Sequence, residues 1–145
     1  MADYTEKPKN WKDLPPEELA AFMNRKSAGY LPALLGFTLL SITKDRVVAR
    51  MPVEKHHLAP NDYLHAASVI TLADTVCGMA TIVNLPEDAG GFTTIELKTN
   101  FLGTTRDGSI CCEGTPAHVG RRTMVWDARV WDEKTGRDIA LFRCT

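Results

Sequence analysis

Residues 65–83, HAASVITLADTVCGMATIV, constrain this chain more than any other stretch. The run has the length of a helix and is apolar on nearly every side, and such a helix is buried. One carboxylate, Asp74, stands in its middle. Aspartate is a poor interior helix former, and burying it without a partner is costly. A chain that keeps a carboxylate there has a use for it. The rest of the sequence therefore reads as a sheet wrapped around this helix, with Asp74 as the working group. The plainer alternative is an aspartate that only caps or bridges the sheet.

The flanking segments supply that sheet. Residues 1–14 read as a polar arm with Trp11 as its anchor. Pro15 and Pro16 precede a short helix, EELAAFMNRKSAG, whose Leu19, Ala20, Phe22 and Met23 make one apolar stripe and whose stop is Gly29. Arm and helix together span about 1–29. Tyr30 to Gly36 reads as a connection. FTLLSI and RVVARMPV flank the turn TKD and predict a hairpin. HHLAPNDYL is a loop. After the central helix, FTTIELKTNFLG alternates, with Thr93, Ile95, Leu97 and Phe101 on one parity. SICCEGTPAHV is a fourth strand, interrupted near Pro116. RRTMVWDARVWD places Met124, Trp126, Ala128 and Val130 on one face, and DIALFRCT is the last strand. The order predicts an α+β fold, a single domain over 1–145, with an antiparallel sheet around one long helix.

Composition excludes several classes. A net charge of −1 gives no electrostatic reason for nucleic acid or an anionic membrane as partner. The N-terminal residues lack the apolar core of a signal peptide, and no apolar run reaches spanning length without a polar break. The four cysteines have neither C-x-x-C nor zinc spacing and read as buried free thiols. A cytoplasmic location is the expectation. His56 and His57 are adjacent, and His65 and His118 are distant, so no metal site is predicted. A Ser-His-Asp reading lacks its G-x-S-x-G context, and Cys77 in apolar surroundings would be inert.

Three segments, LHAASVITLAD, FTTIELKTNFLGTTRDG and HVGRRTMVWDARVWDEKTGR, resemble the hotdog-fold acyl-CoA thioesterases of the phenylacetate-degradation (PaaI-like) branch. The resemblance covers about Pro52 to the C-terminus. It implies a hotdog fold, with an antiparallel sheet wrapped around a long central helix. It also implies a homodimer with a continuous sheet, often paired into a homotetramer, and hydrolysis of an acyl-CoA substrate without metal or bound cofactor. Two departures stand out. The usual His-Gly-Gly is His65-Ala66-Ala67 here, so a methyl replaces open backbone where a ligand would approach. The asparagine usual six residues before the histidine is Ala59 here, and Asn61 is two positions off.

The residues can support that chemistry. Asp74 can act as general base toward water or as direct nucleophile. Helix N-terminal N–H groups near His65, Ala66 and Ala67 can polarise the carbonyl. His65 itself can instead fix the loop by hydrogen bonding. Thr94, or Thr93 in the neighbouring register, matches the family's hydroxyl that assists the carboxylate or its water. Arg106, Arg121 and Arg122 are candidates for the CoA phosphates, with His118 and Gly120 beside them, although each arginine can equally be solvated or paired. Ala66 and Asp74 are eight residues apart, or about 12 Å along a helix. If both serve one thioester they come from two antiparallel helices, which predicts a dimer with its sites at the interface. The alternative function is a non-catalytic hotdog protein that binds acyl-CoA or a similar ligand, kept open by Ala66-Ala67.

Overall fold

Alternating residues build six strands: β1 (Thr38–Ile42), β2 (Val47–Pro52), β3 (Leu97–Phe101), β4 (Ser109–Val119), β5 (Met124–Asp132) and β6 (Asp138–Cys144). In the computed structural model, which describes residues 10–145, they form one antiparallel sheet in the order β1-β2-β4-β5-β6-β3. The first nine residues of the expected polar arm lie outside the described residues. The described residues also form three α-helices, α1 (Pro16–Lys26), α2 (Leu31–Leu34) and α3 (Ala66–Asn84), and two short 3-10 turns, Trp11–Asp13 and Lys55–His57.

One face of the sheet is apolar and holds α3. Met51, Ile110, Trp126, Val130 and Phe142 are buried there, against Val69, Leu72, Val76, Ala80 and Val83 of the helix. Met124, Trp126, Ala128 and Val130 share that face as the alternation predicts. Contact is closest at Gly114 of β4, where an added Cβ would lie 2.7 Å from Val76 Cγ1. Bare backbone at that point lets the helix seat. The outer face is charged. Arg143 grips Asp127 through two bonds of 2.6 Å, Arg129 meets Asp138 at 2.6 Å, and Arg50 meets Glu133 at 2.8 Å. Exposed pairs of this kind add little to stability, so they keep the face wet more than they hold it together.

The N-terminal elements cover the β1 side. The stripe Leu19, Ala20, Phe22 and Met23 is buried as expected, and the Asn24 side chain both donates to and accepts from the Leu39 backbone at 2.9 Å. Trp11 packs on this core with its ring 6.2 Å from Phe22.

The structure departs from the sequence expectations in four places. The connection 30–36 contains a helical turn, α2, with Pro32 in its first turn where a missing N–H costs nothing. β4 runs through Pro116 and absorbs it in a register shift between Pro116 and His118. Only Leu97–Phe101 of the alternating run 92–103 joins a ladder, and Ile95, Leu97 and Phe101 are exposed (68%, 41% and 47%). They sit on or beside the edge strand, and no layer of the described residues covers them. Finally, α3 is buried on one side only. Ile70, Thr71, Asp74, Thr75, Gly78 and Ile82 are half-buried on the other. By length and composition α3 could cross a membrane, but half of it is buried, and that half packs on the sheet.

The approach to α3 is set by His57, which is 1% exposed. Its Nδ1 accepts from the Glu54 N–H at 2.9 Å, and its Nε2 donates to the Leu35 carbonyl at 3.0 Å. Its own carbonyl accepts from the His65 N–H and from the Ser68 hydroxyl, at 2.9 and 3.1 Å. One buried histidine, through its ring and its carbonyl, thus ties α2, the 54–65 loop and the first turn of α3 together. Burial, helped by neighbouring His56, pushes the imidazole below its ordinary value of 6.5.

Two predictions follow from these contacts. Gly114→Ala forces its methyl into Val76 and should lower unfolding free energy by about 1–3 kcal/mol, measured by urea denaturation. His57 binds its proton less readily in the folded chain than in the unfolded one. Its contribution to stability is therefore complete above about pH 6.5 and is lost as pH falls through the lowered folded value. Denaturation midpoints of the wild type should fall below pH 6.5, and in His57→Phe that part of the pH dependence should be absent.

Candidate active site

The first turn of α3 leaves few donors free. His65 is the N-cap, and its Nδ1 accepts from the Ala67 N–H at 3.0 Å. The His65 N–H is committed to the His57 carbonyl. Of the three N–H groups expected to face a carbonyl, that of Ala66 alone has no acceptor among the described residues. Ala66 is exposed at the head of the helix, where the dipole favours developing negative charge. His65 therefore serves as the helix cap, and its ring leaves one backbone donor open.

Asp74 lies two turns further along, half-buried on the open face of α3. The Thr94 hydroxyl donates to its Oδ1 at 3.3 Å. This selects Thr94 over Thr93 as the hydroxyl beside the carboxylate. The pairing joins a helix to the segment before β3, and the Thr145 carbonyl holds that segment in place by accepting from Ile95 at 2.8 Å. Phe92 lies over Gly78, with its ring tip 3.4 Å from where a Cβ would stand.

A cavity of about 220 Å³ adjoins Thr94, with Phe92, Met124 and Trp126 also among its lining residues and Arg121 and Arg122 on its wall. The Trp126 indole N–H is buried with no acceptor among the described residues. Leaving such a donor unpaired costs on the order of 1–3 kcal/mol.

The remaining candidates separate into two groups. Arg106 sits near the N-terminal end of α3, where its Nε donates to the Asp62 carbonyl at 3.2 Å and its guanidinium lies 5.6 Å from the Tyr63 ring centroid. Arg121 and Arg122 line the same cavity as Thr94, with Arg121 paired to Asp88 at 2.7 Å. Asn61 stays in the loop before α3, where its side chain accepts from the Tyr63 N–H at 3.2 Å and shapes a turn. Gly120 is a turn residue. Its N–H bonds the Thr123 carbonyl at 3.0 Å, and a Cβ there would lie 2.7 Å from the His118 ring. The sequence left Thr93 and Thr94 both open beside Asp74, and the hydroxyl that bonds the carboxylate is that of Thr94; the three candidate arginines fall at two places in the fold. It missed His57, whose only sequence signal is a histidine in a turn just upstream of the helix.

Cys77, one turn past Asp74, is fully buried. Its bond to Cys144, with burial, raises its pKa, so the thiol is held as a thiol. No group of three metal-ligating side chains occurs among the described residues.

Comparison with known proteins identifies the family and the fold. The family model described as thioesterase superfamily matches residues 61–139. A Deinococcus radiodurans protein that carries an esterase name is 33% identical over 95% of this chain and 88% of its own length. The 1,4-dihydroxy-2-naphthoyl-CoA hydrolase of Escherichia coli is 26% identical over 77% of this chain and 82% of its own. A crystal structure of a mutant of the Pseudomonas aeruginosa thioesterase PA1618 superposes with a TM-score of 0.81 at 25% identity, covering 86% of this chain and 89% of that one. The Escherichia coli PaaI protein shares the fold, with a TM-score of 0.76 at 20% identity over 88% and 89% of the two chains. With its central helix seated on an antiparallel sheet and its match spanning more than half its length, the chain belongs to the thioesterase superfamily, the hotdog-fold thioester hydrolases.

Proposed function

We propose that this protein hydrolyses an acyl-CoA thioester to a free acid and CoA. The observation that carries the reading is the Thr94–Asp74 hydrogen bond on the open face of α3. It holds a carboxylate oriented by a hydroxyl at the edge of a cavity. Asp74 is the general base toward water, or the direct nucleophile, and Thr94 orients it. The open Ala66 N–H polarises the thioester carbonyl and takes up the charge of the tetrahedral oxyanion. The relatives named as naphthoyl-CoA hydrolases make an acyl-CoA the natural substrate class.

The donor and the carboxylate are about 12 Å apart along one helix, so one site takes Ala66 from one copy and Asp74 from another. Exposed Leu97 and Phe101 on an edge strand, and the uncovered apolar face of α3, support a homodimer with its sheet continued through β3. Pairing of two such dimers gives the tetramer. In this arrangement Arg106 of one copy and Arg121 and Arg122 of the other flank the same site and serve the CoA phosphates, with His118 beside the nucleotide. Asn61 approaches from the loop side. Four buried, unpaired thiols suit work in the cytoplasm.

The methyl of Ala66 favours a second reading, a hotdog protein that binds acyl-CoA without turning it over. An acyl-CoA panel with detection of free thiol separates the two: binding without thiol release supports the second. Under the first, Asp74→Asn should lower kcat/KM by about 10²–10⁴-fold while CoA binding persists. Ala66→Gly should raise turnover if the methyl hinders the carbonyl, and unchanged kinetics would remove that idea. Sedimentation should show a dimer or tetramer. A monomer with full activity would contradict the shared site.

A further inference from the structure

The backbone donor at Ala66 follows a small closed ribbon. Between His57 and His65 the chain doubles back on itself. The Ala59 N–H donates to the Tyr63 carbonyl at 2.8 Å, Leu58 and Leu64 form an antiparallel bridge, and the His65 N–H donates to the His57 carbonyl at 2.9 Å. The tip, residues 61–63, is exposed, whereas the root, His57, is buried. The return limb has its own tether, because the Leu64 N–H donates to the Thr104 hydroxyl at 2.9 Å. An aliphatic side chain would fill the position of His57 without burying two polar ring atoms.

The ring of His57 is fixed at both nitrogens, by the Glu54 N–H and by the Leu35 carbonyl that follows α2. A peptide N–H only donates and a carbonyl only accepts, so these partners select one neutral tautomer. The His57 carbonyl in turn grips α3 on either side of Ala66, at the His65 N–H and at the Ser68 hydroxyl. We propose that His57 is a positioning residue for the reaction: when neutral it holds the Ala66 N–H in place for the oxyanion, and when protonated it releases that donor. The proposal rests on the assignment of Ala66 as the oxyanion donor.

Protonation would set a second donor, Nδ1–H, against the Glu54 N–H. The bond there becomes a repulsion, and the Glu54–His57 turn has to move. The His57 carbonyl moves with it, and both anchors beside Ala66 loosen. A misplacement of about 1 Å can cost on the order of 10²-fold in rate. The titratable neighbours of the ring are His56, with its centroid 4.0 Å away, and Glu54. Lys55 is turned to Asp62 at 2.7 Å, α2 presents the Leu35 carbonyl, and His65 on α3 has its ring on the Ala67 N–H. Burial and His56 oppose charge on His57, so the holding form prevails at neutral pH and release comes as pH falls through the lowered value.

The ratio of wild-type to His57→Gln kcat, followed against pH where circular dichroism shows both folded, tests this. The glutamine amide can donate to Leu35 but offers no acceptor in the place of Nδ1, so the variant mimics the released state at every pH. Well above 6.5 the wild type should be about tenfold faster in kcat with KM little changed, because the donor acts on the transition state. As pH falls the ratio should close toward one. Asp74 and His65 are common to both proteins, so their own response to pH divides out. A ratio near one throughout, or a large ratio that pH leaves unchanged, overturns the proposal; the latter is what a packing role gives.

Spectroscopy decides the matter without turnover or a variant at position 57. The chain has four histidines. His56→Gln with His65→Asn leaves His57 as the one imidazole between residues 54 and 68, and asparagine keeps the helix cap. In this nitrogen-labelled protein the backbone amide at position 65, which donates to the His57 carbonyl, should move upfield as His57 titrates and the bond lengthens. An amide that stays fixed while the His57 ring titrates overturns the proposal. Absence of hydrolysis with every ester would overturn the proposed activity, and the amide would still report whether His57 governs the head of α3.

Discussion

The seating of α3 on the sheet is the constraint on which the other features depend. A helix approaches a sheet this closely only where side chains leave room, and here β4 presents Gly114 to Val76. That contact fixes how deep the helix sits and which of its faces remains open. Asp74, Thr75 and Gly78 end on the open side as a result, and the cysteine and valines of the same turns end in the core. The energetic difficulty of a carboxylate in an apolar helix is met by geometry. Asp74 is turned to the half-buried flank, where a threonine from a distant segment reaches it.

The head of the helix shows a second economy. An α-helix begins with backbone donors that have no acceptor inside the helix. In α3 the His65 cap takes one, and the His57 carbonyl takes the N–H of the cap residue itself. What remains is a single exposed donor at Ala66. The two histidines do opposite jobs. His57 is buried and holds the loop, whereas His65 is exposed and trims the number of free donors.

Much of this was legible in the amino-acid sequence. The length and apolarity of residues 65–83 gave the helix, and Asp74 announced itself by being out of place there. Period-two alternation placed Met124, Trp126, Ala128 and Val130 correctly on the inner face. The same rule put Ile95, Leu97 and Phe101 on one parity, and all three are exposed. Alternation reports that one face of a strand is apolar, and it is silent about whether the covering layer belongs to the same chain. Local spacing is equally silent about the arginines: Arg106 and Arg121 both sit in turns, and only the fold puts one beside Asp62 and the other beside Asp88. The cavity at Trp126 was out of reach as well, because it is walled by residues from α3, the 92–95 segment, β5 and β6.

The outer face of the sheet bears on association. Its cross-strand pairs, Arg143 with Asp127, Arg129 with Asp138, Arg50 with Glu133 and Arg46 with Glu113, cover the surface with alternating charge. Stacking a second layer there would strip water from four ion pairs at once, and desolvation of that kind outweighs what the contact returns. An arrangement of two chains that leaves this face in water keeps those pairs hydrated. A surface that adds little to folding stability thus bears on how two chains would meet.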